Sequence, residues 1–121
     1  MKNKKTILLV DDELPLLRIL EEKLRREGFN VFIAEEGKRG LEIALNKRPD
    51  LILLDLIMPI MDGFTFLKKI EKDSWGRTAK IILMTNLDAL EKKLEESNYE
   101  VLIKSDWKIA DIIEKIKKET S

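Results

Sequence analysis

The sequence predicts a doubly wound α/β domain, and three observations carry that expectation. Five apolar runs of strand length recur along the chain. Amphipathic patterns of helical spacing lie between them. The runs are almost continuously apolar instead of alternating, as parallel strands covered on both faces must be.

The elements follow in order. Residues 7–10 (Ile-Leu-Leu-Val) form the first run, and Leu17, Leu20 and Leu24 after them share one stripe of a helix, with Pro15 suited to its first turn and Gly28 to its end. Residues 31–34 form the second run, followed by a helix whose predicted buried stripe is Leu41, Ala44 and Leu45. The third and fourth runs, 51–54 and 81–84, are separated by breaks at Pro59, Gly63 and Gly76. The fifth, 101–103, leads to a last helix marked by Ile109, Ile112, Ile113 and Ile116, with Ser105 or Asp106 as its predicted cap. Five strands alternating with five helices, joined by right-handed crossovers, place helices on both sides of one sheet.

Composition narrows the chemistry. At 121 residues and 44% apolar content, one domain over residues 1–121 is expected, with no second module. The 23 Lys and Arg balance the 23 Asp and Glu, leaving no basic surplus for a nucleic-acid backbone or an anionic membrane. There is no cysteine for a disulfide or thiolate site and no histidine for imidazole catalysis, so any chemistry must run on carboxylates, amines and hydroxyls. No stretch approaches the roughly 20 apolar residues of a membrane helix, and a cytoplasmic location is the expectation.

In open parallel sheets ligands bind beyond the carboxyl ends of the strands. The first run ends in Asp11-Asp12-Glu13, the third in Asp55, the fourth in Thr85 and the fifth in Lys104; the second ends in Glu35-Glu36, expected to lie to one side. Taken singly, Asp11, Asp12 and Thr85 read as helix caps and Lys104 as a solvated charge. Asp55 does not, because Leu56-Ile57-Met58 follow it directly. Carboxylates this close resist full ionisation unless a cation joins them. Mg²⁺ takes such oxygen ligands and leaves positions for a phosphoryl oxygen. Lys104 adds a fixed positive charge, so Asp55 is set up to accept a phosphoryl group.

With Asp11-Asp12, Asp55, the stretch Met58-Pro59-Ile60-Met61-Asp62-Gly63, Thr85 and Lys104 in order, the chain resembles response-regulator receiver domains over nearly its whole length. The resemblance implies a flavodoxin-like five-stranded sheet of order 2-1-3-4-5. It also implies Asp55 as phosphoacceptor, Mg²⁺ held by Asp12 directly, by Asp11 mainly through water, by Asp55 and by the Ile57 backbone carbonyl, Thr85 as switch hydroxyl and Lys104 as phosphate counter-ion. The phosphoryl group would come from a histidine kinase or histidine phosphotransfer protein, and the face built from the fourth helix, fifth strand and fifth helix would signal to a downstream protein target. A weak homodimer is left open, and Trp75 and Trp107 read either as edge packing or as a contact face.

Two departures stand out. The family usually follows its lysine with a cis proline; here Ser105 follows Lys104, and a trans bond is expected, since a non-proline cis bond costs about 2.5–4 kcal/mol. The family also often carries an inward-turning aromatic, looked for two residues before the lysine, where this chain has Leu102; Tyr99 is the nearest aromatic. Ile57 and Leu87, two residues past Asp55 and Thr85, flank the approach of water in such domains and are both apolar, which implies a long-lived phospho-aspartate. The alternative of an Mg²⁺-dependent aspartyl-phosphate hydrolase needs an acid two residues after the nucleophile, where Ile57 stands. A flavin-binding domain of the same topology needs a phosphate loop rich in Ser, Thr and Gly, where Asp11-Asp12-Glu13 stand. The reading is therefore a switch and not an enzyme.

Overall fold

The computed structural model describes residues 4–58, 60–86 and 99–121. The described elements run β1 (Thr6–Val10), α1 (Leu14–Arg26), β2 (Asn30–Ala34), α2 (Gly37–Lys47), β3 (Leu51–Asp55), α3 (Gly63–Ile70), β4 (Ile81–Thr85), β5 (Glu100–Ile103) and a C-terminal helix (Ile109–Thr120). The helix expected between the fourth and fifth strands falls on 87–98, outside the described residues, as does Leu87. All five strands are parallel, in the order β2-β1-β3-β4-β5.

The continuous apolar runs divide residue by residue between two cores. Leu8, Val10, Ile52, Leu54 and Leu83 face Ala44, Phe66 and Ile70 from α2 and α3. Their neighbours Ile7, Leu9, Leu53, Ile82, Met84 and Leu102 face Leu17, Leu20 and Leu24 of α1 and Ile112, Ile113 and Ile116 of the C-terminal helix. A strand's side chains alternate between faces, so a strand inside a three-layer stack has no polar position to spare. Burial of each such side chain is worth about 1.5–3 kcal/mol. Trp75 and Trp107 are half-buried against the rims of the two cores, which is edge packing.

α1 starts with Pro15 in its first turn, and Gly28, at φ 95°, follows its end. Two local expectations are corrected. In α2 the inward stripe is Gly37, Gly40, Ile43 and Ala44, while Leu45 is 39% exposed. The helix turns Gly40 to β1, so close that a Cβ there would come within 2.8 Å of Val10, and the leucine at 45, five residues on, then lies roughly 140° round the helix and faces outward. Neither Ser105 nor Asp106 caps the last helix. Both are used in a 3-10 turn, Lys104–Asp106, and the helix opens later, with Asp111 accepting from the Lys108 amide at 3.2 Å.

One residue is held against its preference. Ile60 sits at φ 70° and is 83% exposed. The left-handed region costs an L-residue about 1–2 kcal/mol, most for a β-branched one, while asparagine tolerates it. Ile60→Asn should therefore stabilise the fold by about 1 kcal/mol, raising the thermal midpoint by roughly 4 °C. A calorimetric scan measures this directly, and an unchanged or lowered midpoint would contradict the strain.

Candidate functional site

The parallel register brings the strand ends together at one edge of the sheet. Val10 pairs with Leu54, Asp55 with Met84 and Thr85 with Ile103, so Asp11, Asp55, Thr85 and Lys104 come at or just past the last paired residues of β1, β3, β4 and β5. The Asp11 amide still donates to the Ala34 carbonyl at 3.1 Å, which fixes its backbone to the sheet. Asp11, Asp55 and Thr85 are buried, at 2%, 4% and 0% exposure, while Asp12 is exposed. Glu36 does not join them: it accepts from the Arg39 amide at 2.5 Å and caps α2.

Lys104 is the hub. Its Nζ lies 2.7 Å from Asp11 Oδ2, 3.1 Å from Glu13 Oε1 and 3.3 Å from Asp55 Oδ2. Two backbone amides orient the buried acids: Glu13 N–H donates to Asp11 Oδ1 at 2.9 Å and Ile57 N–H to Asp55 Oδ1 at 3.2 Å. One ammonium does not balance this charge. Burial, then the nearby Asp11 carboxylate, push the Asp55 carboxyl up from its ordinary 3.8 to about 6. Burial likewise raises Asp11 against the opposing pull of Lys104. For Lys104, burial works against the charged form, but Asp11, Asp55 and Glu13 outweigh it and hold the ammonium above its usual value.

These residues fit a hard divalent cation. Asp11, Asp12 and Asp55 each offer a carboxylate oxygen, all within 4.8 Å of one another. Asp11 Oδ2 is buried and accepts no hydrogen bond; the Lys104 ammonium is near it but not aligned with it. An all-oxygen set with an unfilled buried acceptor suits Mg²⁺. The Ile57 amide bonded to Asp55 brings the backbone of residue 57 to the same place.

The loop after Asp55 accounts for Asp62 and Gly63, while Pro59 lies outside the described residues. The Gly63 amide donates to Leu56 O at 3.0 Å, and Asp62 accepts from Thr65 N at 2.8 Å to start α3. A Cβ on Gly63 would lie 2.7 Å from Leu56 Cα and 2.9 Å from Asp55 O, so only glycine lets the chain fold back onto the strand end that carries Asp55.

Beyond β5 the Lys104–Ser105 bond is trans, with no cis peptide among the described residues, and Lys104 opens the 3-10 turn. The place assigned to Leu102 is corrected. It is 2% exposed and packs with Met84 and Ile112, on the face opposite Leu83 and Val101. By strand alternation Thr85 shares the Leu83 face, so the β5 side chains on its side are Val101 and Ile103, not Leu102. Tyr99 packs on that face as well, but its hydroxyl donates to Glu71 at 2.5 Å, just past α3. Glu13 is named at the end of the first run but given no role there, since its link to Lys104 spans 91 positions and leaves no local signal.

A pH dependence follows. Asp55 titrates near 6 when folded and near 3.8 when unfolded, so between these values the folded state holds the extra proton and stability falls as pH rises through about 4 to 6. In metal-free protein Asp55→Asn should exceed the wild type by about 1–3 kcal/mol near pH 7.5 and converge with it near pH 4. Urea titrations in EDTA at the two pH values read the difference, and a variant less stable than wild type at the higher pH would contradict the electrostatic account.

The comparisons with known proteins agree with this geometry. The model of the response regulator receiver domain matches residues 7–117. The chain is 44% identical over 82 residues to the response regulator PleD of Caulobacter vibrioides, covering 68% of this chain and 18% of PleD. It is 37% identical over 98 residues to sporulation initiation phosphotransferase F of Bacillus subtilis, covering 78% of this chain and 77% of that protein. Among solved structures, response regulator TrrA of Thermotoga maritima, in complex with Mg(2+)-BeF, superposes with a TM-score of 0.80 at 34% identity over 95% of this chain and 98% of that one. Chemotaxis response regulator CheY4 of Vibrio cholerae gives 0.85 at 25% identity over 97% and 99%. The chain spans less than a fifth of PleD and about a third of the transcriptional regulator ycf27 of Cyanophora paradoxa. Among the described residues no helix is long and apolar enough to cross a membrane. Matched over residues 7–117, with a cluster of aspartates at the carboxyl edge of a 2-1-3-4-5 sheet, the chain belongs to the response regulator receiver domains, the signalling switches of two-component systems.

Proposed function

We propose that residues 1–121 act as one cytoplasmic phosphoacceptor switch, in which Asp55 takes a phosphoryl group from a phosphohistidine on a histidine kinase or histidine phosphotransfer protein. The observation that carries this reading is a buried aspartate at a strand end, with an ammonium 3.3 Å from one oxygen and two further aspartates beside it. The donor must bring its own histidine, since this chain has none. An Asp55 oxygen forms the new P–O bond as the P–N bond of the donor breaks, and the imidazole nitrogen leaves with the electron pair and takes up a proton. Near neutral pH Asp55 is largely ionised and therefore nucleophilic, despite its raised pKa.

Asp11, Asp12, Asp55 and the Ile57 carbonyl would hold Mg²⁺, which when bound supplies positive charge beside the phosphoryl oxygens. Lys104 neutralises the transferred group from the β5 side, and the Thr85 hydroxyl donates to one of its oxygens. The added charge then biases an existing equilibrium of the surface made by β5, the C-terminal helix and the segment between β4 and β5, which meets a downstream protein target. Two similar proteins support this: one is sporulation initiation phosphotransferase F of Bacillus subtilis, and the structure of the other, TrrA of Thermotoga maritima, is in complex with Mg(2+)-BeF. No observation favours the hydrolase alternative, because residue 57 is an isoleucine with no proton to give.

Incubation with phosphoramidate and Mg²⁺, followed by intact-mass measurement, tests the proposal. One added phosphate is expected on wild type, none on Asp55→Asn and none in EDTA; a phosphate that survives in Asp55→Asn would overturn the assignment. The lifetime of the product gives a second test. Ile57 is 47% exposed beside Asp55 and cannot orient water. Ile57→Asn combined with Leu87→Glu should speed loss of phosphate roughly tenfold, as ~1.4 kcal/mol of barrier would. Equal decay in wild type and double variant would show that water access past these side chains does not set the lifetime.

A further inference from the structure

Among the described residues, Glu13 behaves unlike the other acids that lead helices. It occupies the N-cap of α1, yet its side chain makes no bond to the helix; Oε1 instead lies 3.1 Å from Lys104 Nζ. At the matching position of α2, Glu36 accepts from the amide three residues on, Arg39, and Asp62 does the same for Thr65 in α3. A glutamate can therefore cap a helix here, and α1 has a donor at the same offset in Leu16, since Pro15 has no N–H to offer. The Glu13 side chain is 52% exposed while that of Lys104 is only 9% exposed, so the carboxylate meets a buried ammonium from the solvent side.

We infer that Glu13 is a displaceable internal stand-in for the phosphoryl anion: it holds Lys104 while Asp55 is unmodified, is expelled when Asp55 is phosphorylated, and then caps α1 at Leu16. The inference rests on the phosphoacceptor reading above and adds a regulatory contact to it. Of the three N–H groups of the ammonium, two go to Glu13 and Asp55, and Asp11 Oδ2 lies 2.7 Å away as a third ion-pair partner, so three carboxylates already surround one buried charge. A phosphoryl group on Asp55 brings a charge of about −1.5 to −2 and its own claim on Lys104. One carboxylate must give way. Asp11 is buried and tied by the Glu13 amide, and Asp55 carries the new group. Glu13 has water to go to and loses least, and the positive end of α1 then receives its charge. Until that happens Glu13 competes with the phosphoryl group, so the contact sets a threshold for switching and passes the event to the start of α1.

Beryllofluoride with saturating Mg²⁺, titrated on the full chain and followed by amide chemical shifts, serves as the phosphoryl probe. Glu13→Gln should bind it about threefold to fivefold more tightly than wild type, the scale of a partly exposed ion pair. Glu35→Gln removes the same charge just after β2, at an exposed position with no contact to Lys104, and should bind as wild type does. The second readout is hydrogen exchange at the Leu16 amide, which should slow on beryllofluoride addition in wild type and stay unchanged in Glu13→Ala. Equal affinity for wild type and Glu13→Gln, an equal gain in Glu35→Gln, or a Leu16 amide indifferent to the probe in wild type would each overturn the inference while leaving Asp55 as acceptor. No binding by wild type would overturn the phosphoacceptor reading and this inference with it.

Discussion

A single ammonium among three carboxylates is the constraint on which the carboxyl edge of this domain depends. Lys104 reaches Asp11, Glu13 and Asp55, which come from the ends of two other strands and the start of a helix, and so ties β1, β3 and β5 at one point. Breaking one partner of a buried charge pair is usually far more damaging than the pair is stabilising, because the remaining charge is left without water or counter-ion. Here the group is incomplete by design of its charges: two buried aspartates are held above their usual pKa, and one buried oxygen of Asp11 accepts no hydrogen bond. A site left short of positive charge is one that a cation completes.

The sheet makes that arrangement possible by taking no part in it. Alternate side chains of each strand are committed to one of two apolar cores, and all five strands run the same way. The first residue free of this commitment is the one at the strand's end, and in a parallel sheet all such ends lie along one edge. Polar residues that would be expensive in the layers are collected where the layers stop. The backbone amides of Glu13 and Ile57 then aim one oxygen of Asp11 and of Asp55, while the Lys104 ammonium meets the other.

The segment between β3 and α3 shows how closely local backbone and site are joined. Gly63 lets the chain lie against Leu56 and the carbonyl of Asp55, and Ile60, two residues past Met58, absorbs the bend in a left-handed conformation that isoleucine disfavours. The strain is local, while the packing of Leu56 and Phe66 into the core, both at 0% exposure, holds the segment in place from either side.

The sequence by itself determined the layered α/β fold, the positions of the five strands to within a residue or two, and the set of polar residues that end them. The reason is physical: runs such as 7–10 and 51–54 have no position for solvent, and Asp55 in such a run has no local use. What only the tertiary structure decided are the relations that depend on distance between remote residues. The leucine at 45 points outward because α2 turns Gly40 to Val10; Leu102 packs on the far face of β5 from Thr85 because of strand parity; Ser105 and Asp106 are used in a turn and not a cap. The link from Glu13 to Lys104 belongs with these. A spacing of 91 residues carries no periodicity, and whether two charges meet across it is settled by where the sheet brings the ends of β1 and β5.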